Sequence, residues 1–442
     1  MKKILFIQLF IMLLFLISGC TSQKTNDNCL LFKDGLAIVY NRKDGKELYG
    51  YVNKDFEEVI QCQYTQANTF HNGRAIVRLQ SGDETIINKN GDIISDLYCN
   101  ITYINYLDTY IGYTVDDECV LLNNKLEPVK KFKEIGIKFP SSNDNYTLPV
   151  QFIDGSYGYI DSNGNVLMDG LTSMPSNFAY KNTILIDNDN NLWTIDNNFK
   201  KLHNFGNVKI DMISSEYILI DNKVYNYLGN LVYEETRIEK KCLLDDNILV
   251  IKNKNVNEIY EEYEIVDLGS KRKLSVKNHF RIADTDKICV FKDKKIIICK
   301  NNLKQIMSKE IGSAKYSCTH DNYRGKLYIK LYYENEKTET FLVNISTRKF
   351  KKINFIKNDD KIVEVYKNYI LVKNGYSYKL LNLKGKVILE DEHHRFYATD
   401  DGYIINFFGQ IYNKKLKLLF DPAEKSLYIS MNDVFNNYWP FS

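Results

Sequence analysis

The sequence has no excess of charge of either sign, which argues against one large class of partners. Its 442 residues include 59 Lys and Arg against 56 Asp and Glu, so the formal net charge is only +3. Proteins that grip the backbone of nucleic acid need a clustered basic surface. The basic runs here, such as residues 271–273, are short and isolated. We therefore expect no nucleic acid partner.

The signature motifs of common enzyme and metal sites are also missing. The sequence contains no G-x-S-x-G nucleophile elbow, P-loop, G-x-G-x-x-G fingerprint or paired-cysteine zinc motif. The eight cysteines after Cys20, at positions 29, 62, 99, 119, 242, 289, 299 and 318, show no C-x-x-C spacing. Cys289 and Cys299 stand in apolar runs, which is typical of small core residues. We predict no cofactor and no catalytic residue, and we expect that the protein is not an enzyme.

The six histidines are dispersed except for the pair His393-His394. This pair lies in residues 390–394 (EDEHH), which contain the side chains that metal ions prefer. The spacing differs from that of a helical H-E-x-x-H site, and consecutive strand residues point to opposite faces. We interpret the segment as a charged loop between strands and predict no metal there.

A second acidic segment, residues 187–191 (DNDNN), has oxygen ligands that suit calcium. It lacks the glycine and the distant glutamate of an EF-hand loop. Asp and Asn are also favoured in turns, where their side chains bond the local backbone. The turn interpretation is favoured for this segment and for acidic doublets such as Asp116-Asp117 and Asp400-Asp401.

The first residues of the chain have the pattern of a secretory signal. Lys2 and Lys3 precede an almost wholly apolar run at 4–17, and small residues follow. Residues 17–20 (ISGC) resemble the bacterial lipobox, which implies acylation of Cys20 and cleavage before it. An uncleaved anchor and an ordinary secretory signal are the alternatives. We predict a signal peptide at residues 1–19 and a lipidated Cys20 with a polar tether at 20–30.

The same prediction places the protein outside the cytoplasm, anchored by lipid to the cell membrane or the outer membrane. Loss of the signal would remove Lys2 and Lys3, which leaves 57 basic and 56 acidic residues. We therefore expect membrane attachment to rest on acyl chains and not on charge.

The body of the chain repeats itself. Residues 32–39 (FKDGLAIV) return as residues 70–77 (FHNGRAIV), an offset of 38 residues between Phe32 and Phe70. A second element, an aromatic-Gly-aromatic strand followed by a polar turn, occurs at residues 49–54 (YGYVNK) and 157–166 (YGYIDSNGNV). Asn-Gly and Asp-x-x-Gly accept the positive φ of tight hairpin turns, while alternating large residues suit a half-buried strand. We count about eleven such units, which indicates an array of small β-modules.

These elements resemble the WG-repeat family, whose units carry an F-x-x-G-L-A-x-V strand and an aromatic-Gly-aromatic hairpin. The resemblance is clear at residues 32–94 and again at 157–168, and Tyr49 and Tyr157 replace the Trp of the family. It implies a repeat domain of binding or structural type, without catalytic residues to carry over.

We predict an all-β repeat protein that resembles a β-propeller, as one large ring or two fused rings. An open solenoid-like array is the alternative, and a pair of β-sandwiches would require the repeats to be coincidence. The β-repeat domain spans residues 31–420, with a possible internal boundary near 139–146. Residues 421–442 form a C-terminal strand and an aromatic tail, and the strand could complete the first blade.

For function we expect a non-catalytic lipoprotein that binds a protein, glycan or cell-wall component at the cell envelope. One alternative is a propeller-type hydrolase or lyase that acts on polysaccharide or peptide, which would gather carboxylates, His and Arg in one funnel. The other is a structural subunit of an envelope complex, which would show a broad exposed apolar patch. The sequence does not identify the ligand-binding residues.

Overall fold

The computed structural model describes residues 30–430, apart from 44, 105–106, 137–146, 176–181, 188, 215, 235–240, 246, 253–262, 277, 283–286, 293, 301, 322–325 and 334. Three features of the sequence therefore lie outside the described residues. These are the signal region with Cys20, the expected boundary near 139–146, and the aromatic tail at 438–441.

The described residues form eleven small antiparallel sheets, which we number along the chain. Sheets 1 to 4 contain β1 (Ala37–Lys43), β2 (Lys46–Val52), β3 (Glu58–Tyr64), β4 (Gln66–Ala67), β5 (Arg74–Arg78), β6 (Glu84–Asn88), β7 (Asn100–Ile104), β8 (Thr109–Tyr113), β9 (Cys119–Leu122), β10 (Pro128–Phe132), β11 (Glu134–Ile135), β12 (Thr147–Gln151), β13 (Tyr157–Asp161) and β14 (Val166–Leu171).

Sheets 5 to 8 contain β15 (Asn182–Ile186), β16 (Leu192–Asp196), β17 (Lys201–Gly206), β18 (Met212–Ile213), β19 (Tyr217–Ile220), β20 (Lys223–Asn226), β21 (Leu231–Glu234), β22 (Lys241–Asp245), β23 (Ile248–Lys252), β24 (Tyr263–Asp267), β25 (Lys273–Val276), β26 (Asn278–Ile282), β27 (Lys287–Lys292), β28 (Lys295–Lys300) and β29 (Gln305–Glu310).

Sheets 9 to 11 contain β30 (Lys315–Asp321), β31 (Lys326–Tyr332), β32 (Thr338–Asn344), β33 (Lys349–Ile353), β34 (Lys361–Val365), β35 (Tyr369–Asn374), β36 (Ser377–Asn382), β37 (Val387–Asp391), β38 (Tyr397–Ala398), β39 (Ile404–Ile405), β40 (Ile411–Tyr412) and β41 (Leu418–Phe420). A short helix, α1 (Pro422–Lys425), and the last strand, β42 (Tyr428–Ile429), follow.

Strands that follow one another in sequence are neighbours in their sheet. Sheets 2 and 5 have three described strands, β4 to β6 and β15 to β17, and the others have four. In each four-stranded sheet the turn between the second and third strands, here called the middle turn, lies at one end. The turn between the third and fourth strands, the outer turn, lies at the other end because the strands are antiparallel.

Sheet 1 joins the two ends of the described chain. Its strand order is β3-β2-β1-β42, so the last strand of the chain pairs with the first. Tyr40 is opposite Tyr428 and Val39 is opposite Ile429, while the Ser430 N–H donates to the Ile38 carbonyl at 3.0 Å. The buried Ile429 packs in one apolar cluster with Val39 and with Phe420 of sheet 11.

One turn geometry recurs at the outer turns and at the turns that follow β6 and β16. An Asn or Asp side chain accepts hydrogen bonds from backbone N–H groups further along the turn, as Asn88 does from Asn90 and Asp92 at 2.9 and 3.1 Å. The same role falls to Asn53, Asn123, Asp161, Asp196, Asn226, Asn382 and Asn413. The backbone N–H groups of a tight turn lack nearby carbonyl acceptors, and these side-chain oxygens accept hydrogen bonds from them. This explains why Asn or Asp recurs at this position.

The glycine of the aromatic-Gly-aromatic strand is required by a close approach of two strands. A Cβ atom at Gly50 would lie 2.4 Å from the Ile60 carbonyl oxygen and 2.7 Å from the Cys62 nitrogen. The β2–β3 register shifts at this point. No side chain larger than hydrogen fits there without movement of the backbone.

Buried apolar clusters fill the space between consecutive sheets. The chain divides into two compact units. In the unit of residues 136–149 and 168–314, clusters join sheets 5 and 6, 6 and 7, and 7 and 8. In the unit of residues 26–135, 150–167 and 315–442, clusters join sheets 9 and 10, 10 and 11, 11 and 1, 1 and 2, and 2 and 3.

The predicted fold class is confirmed. The protein is an all-β repeat structure of propeller-like blades, with eleven sheets where about eleven units were expected. Helix is almost absent from the described residues, where α1 has four residues. Within that same part of the chain, no helix is long and apolar enough to cross a membrane.

Candidate functional site

A groove lies between sheets 2 and 3, beside the middle turn of sheet 3 and along strand β10. It has a volume of about 590 Å³ and is lined by Asp83, Asp96, Leu97, Tyr98, Cys99, Thr114, Val115, Val120, Pro128, Val129, Lys130 and Lys131. We call it the Leu97–Val115 groove. Its size falls in the usual range of small-ligand and peptide-side-chain pockets.

Three aliphatic side chains of the groove are open to solvent. Val115 is 83% exposed in the middle turn of sheet 3, Leu97 is 53% exposed in the link between the sheets, and Val129 is 38% exposed on β10. Isolated exposed apolar residues are common on protein surfaces. Three that line one concavity are a feature of binding sites.

The floor of the groove is formed by Tyr98, which lies against the sheet because residue 112 is glycine. A Cβ atom at Gly112 would lie 2.4 Å from two atoms of the Tyr98 ring. Tyr98 is buried and packs with Val120 and Ile101. Burial, followed by the nearby Asp96 charge, raises the pKa of the Tyr98 hydroxyl. The Tyr98 hydroxyl at the floor is therefore neutral at physiological pH.

Charges of opposite sign flank the aliphatic groups. Asp83 and Asp96 line the sheet 2 side, and Lys130 and Lys131 lie on β10 of sheet 3. The Lys131 ammonium pairs with the Glu118 carboxylate at 2.9 Å, and this bond raises the pKa of Lys131. The Lys130 ammonium lies 5.7 Å from the centre of the Phe132 ring. The groove thus offers apolar contact between an acidic wall and a basic wall.

A buried carboxylate holds the link between sheets 2 and 3 in place. The two oxygens of Glu84 accept hydrogen bonds from Arg78 and from the Ile101 N–H, each at 2.6 Å. The backbones of Glu84 and Tyr98 also exchange two hydrogen bonds, of 2.7 and 3.0 Å. Residues 96–99, which form one side of the groove, are therefore fixed by sheet 2.

The histidine pair of the sequence lies in the link between sheets 10 and 11. The Nδ1 atom of His394 is 3.0 Å from an Asp391 oxygen, and its ring stacks on Phe407 with centres 4.7 Å apart. His393 is exposed. Across the described part of the chain, no group of three or more His, Cys, Asp or Glu side chains is placed to hold a metal ion.

Both oxygens of the Asp187 carboxylate accept hydrogen bonds from residues close to it in sequence. One oxygen accepts from the N–H groups of Asp189 and Asn191 at 3.0 and 2.9 Å, and the other accepts from the Trp193 indole N–H at 2.7 Å. The Trp193 bond, and next the Asn191 N–H, lower the pKa of Asp187. Asp187 and Asn191 therefore close the hairpin between β15 and β16.

Other residues that the sequence analysis singled out lie in turns or in the core. Asp117 adopts positive φ in the middle turn of sheet 3, and Asp401 accepts hydrogen bonds at 3.2 Å from the Leu31 and Phe32 N–H groups. Cys289 and Cys299 are buried in the core. Cys20 lies outside the described residues, so its lipidation stays a prediction.

Sequence reasoning missed the groove. The available signal was one apolar residue, Val115, inside the acidic turn 114–118 (TVDDE). Leu97 and Val129 stand in separate elements, so their proximity to Val115 depends on the packing of two sheets.

Solved structures similar to the chain share little sequence with it. A structure described as the eukaryotic initiation factor has 10% identity and a TM-score of 0.36, with 81% of this chain and 96% of that chain covered. BamB from Moraxella catarrhalis has 9% identity and a TM-score of 0.24, with 70% and 95% covered. Dipeptidyl peptidase 4 from Porphyromonas gingivalis has 12% identity and a TM-score of 0.31, with 73% and 59% covered.

No curated protein matches the chain by sequence. A family does match part of it, in the segment that contains the end of sheet 1 and the start of sheet 2. The resemblance expected from the sequence is confirmed there: residues 49–81 match the family described as WG containing repeat.

Proposed function

We propose that this protein is a lipid-anchored, non-catalytic binding protein of the cell envelope, which holds a segment of another protein in the Leu97–Val115 groove. The observation that carries the binding role is the exposure of Leu97, Val115 and Val129 in one concavity between charged walls. The WG-repeat and propeller-like fold supports a repeat protein with a binding role.

The lining favours a peptide over a glycan as the bound group. Sugars bind mainly by stacking on exposed aromatic rings and by dense polar contacts, whereas the ring in this groove, Tyr98, is buried. Aliphatic walls suit apolar peptide side chains. The acidic and basic walls would orient a segment that has charges of both signs beside its apolar residues.

The enzyme alternative lacks a specific observation in its favour. The groove holds two carboxylates, those of Asp83 and Asp96, but its lining includes no His or Arg. Of the two lysines that line it, Lys131 pairs with Glu118, and Lys130 lies over aromatic rings of sheets 3 and 4. The charged side chains of the groove are therefore better suited to orienting a ligand than to transferring protons.

A displayed library of random peptides tests the binding role. We expect the protein to enrich apolar peptides with flanking charges, and Val115→Asp to weaken their binding about tenfold, since it places a charge in the apolar part of the groove. Leu228→Asp is the matched control, because Leu228 is 60% exposed in the outer turn of sheet 6. Equal loss in both variants, or failure to enrich any peptide, would contradict the proposal.

The anchor is tested separately through Cys20. Substitution Cys20→Ser removes the acylated thiol, so we expect the protein to leave the lipid-modified pool. Metabolic labelling with a fatty acid should mark the parent protein and not the variant. Fatty-acid label that persists on Cys20→Ser would refute the anchor and would not bear on the proposed binding role of the groove.

A further inference from the structure

Sheet 11 carries two exposed aromatic rings at the tip of its middle turn. Phe407 and Phe408, in the turn between β39 and β40, are 62% and 60% exposed. Large aromatic side chains are usually covered by other groups, because their contact with water is unfavourable. A pair of them at the tip of one turn therefore marks a contact surface. We call this pair the Phe407–Phe408 knob.

Neighbouring groups support the knob from two sides. Its two ring centres lie 4.7 and 4.9 Å from that of His394, whose Nδ1 atom is 3.0 Å from an Asp391 oxygen. On the other side, a Cβ atom at Gly409 would lie 3.2 Å from the Cγ atom of Pro422, the first residue of α1. These contacts reduce the side-chain entropy that the knob would lose on binding a partner.

Charges of both signs flank the knob. Glu392 is exposed in the link that leads to sheet 11, two residues before His394. Glu424 and Lys425 are exposed in α1, which begins beside the turn of the knob. The Leu97–Val115 groove has exposed aliphatic groups between an acidic wall and a basic wall. The knob therefore has the composition that this groove favours in a ligand, apolar side chains beside charges of both signs.

The knob cannot enter the groove of its own chain. Both belong to the same compact unit, but sheets 1 and 2 lie between sheet 11 and sheet 3. Buried apolar clusters join sheet 11 to sheet 1, sheet 1 to sheet 2 and sheet 2 to sheet 3, which fixes the separation. Only a second copy of the chain could bring these two surfaces together. An apolar projection and a complementary pocket on one molecule create a contact of this kind between copies.

We infer that two copies of the protein associate, with the Phe407–Phe408 knob of one copy in the Leu97–Val115 groove of the other. The inference rests on the proposed binding role of the groove and identifies its partner as a second copy. The knob and Val115 both lie in middle turns. These turns share one end of the unit, because each sheet begins at the end where the preceding sheet finished. Two copies that face each other at this end can exchange knobs and close a symmetric pair.

Co-purification of two differently tagged full-length copies, expressed together, tests this association. Capture of one tag should recover the other copy. Phe408→Asp in both copies, or Val115→Asp in both, should reduce the recovered fraction about tenfold, because each places a charge in an apolar contact. Leu228→Asp is the matched control, since Leu228 is also 60% exposed but lies on sheet 6. A Phe408→Asp copy paired with a Val115→Asp copy retains one intact groove and one intact knob, so this pair should recover part of the parent signal.

Peptide binding separates this inference from the proposed function. Phe408→Asp retains the groove, so it should enrich the same apolar peptides as the parent protein from a random library. Peptide enrichment without recovery of a second copy supports the binding role and overturns the association. Recovery that both Asp changes abolish, without any enriched peptide, supports the association and overturns a wider binding role. Recovery that persists in Phe408→Asp, or that the mixed pair does not restore, overturns the contact between knob and groove.

Discussion

Glu84 accepts a hydrogen bond of 2.6 Å from the backbone N–H of Ile101, across the boundary between sheets 2 and 3. The same carboxylate pairs with Arg78 of its own sheet, also at 2.6 Å, and it is only 7% exposed. One side chain thus ties two repeat units together directly beside the Leu97–Val115 groove. The groove depends on this tie because residues 96–99 follow the same boundary.

Replacing Glu84 should therefore weaken both the fold and the groove. We expect Glu84→Ala to lower the free energy of unfolding by about 3 kcal/mol, since it leaves a buried N–H and a partly buried guanidinium without their acceptor. Glu84→Gln should cost less because one oxygen remains. Urea unfolding measures both. Glu47→Ala, which breaks an exposed pair with Arg42, should change stability little, and an equal effect of the two alanine variants would contradict the role of Glu84.

Gly50 should tolerate no side chain. We expect Gly50→Ala to lower the free energy of unfolding by about 3 kcal/mol, because the new methyl group would overlap the backbone of β3. Gly269→Ala is the control, since its Cβ would meet one oxygen at an ordinary 3.5 Å. Denaturant unfolding compares the two variants. If both are equally stable, the close approach of β2 and β3 is not what demands glycine.

The pairing of β1 with β42 should protect the first strand of the chain from solvent exchange. We expect Ile429→Asp to raise amide hydrogen exchange in residues 37–43 about tenfold, because a buried charge in the cluster with Val39 and Phe420 detaches β42. Val387→Asp, at a half-exposed site on β37, serves as the comparison. Exchange in β1 that stays at the parent rate would show that β42 contributes no protection.

Asp187 should titrate below the ordinary range of an aspartate and report through Trp193. Because its pKa is lowered, chiefly by the indole N–H, the carboxylate stays ionised and bonded at neutral pH. Its contribution is lost only as the pH falls through that lowered pKa. The indole NMR signal of Trp193 should therefore shift at acidic pH in the parent protein and not in Asp187→Asn. A shift on addition of calcium at neutral pH would instead favour the metal interpretation.

Local patterns in the sequence were sufficient for the fold class. The alternation of large residues around Gly50 and the Asx residues at the turns predicted short hairpins, and the same residues now close those turns through their own hydrogen bonds. The WG-repeat resemblance is confirmed at residues 49–81. These features are predictable because the strand and its turn are adjacent in sequence.

The candidate sites could not be found in the same way. Leu97, Val115 and Val129 belong to three elements, and Phe407 meets His394 only through the link between sheets 10 and 11. No periodic pattern marks such residues, since their exposure depends on what neighbouring sheets leave uncovered.

The sequence by itself determined that this protein is a β-repeat chain with closely spaced hairpins, because φ preferences, strand alternation and turn hydrogen bonds act over a few residues. Only the tertiary structure decided that Glu84 would tie sheet 2 to sheet 3, that the C-terminal strand would pair with β1 in the register of Tyr40 with Tyr428, and that a groove would open at one boundary. These features arise where sheets pack on one another. Their contacts join residues far apart in the chain, and their geometry follows from the burial of apolar faces between the sheets.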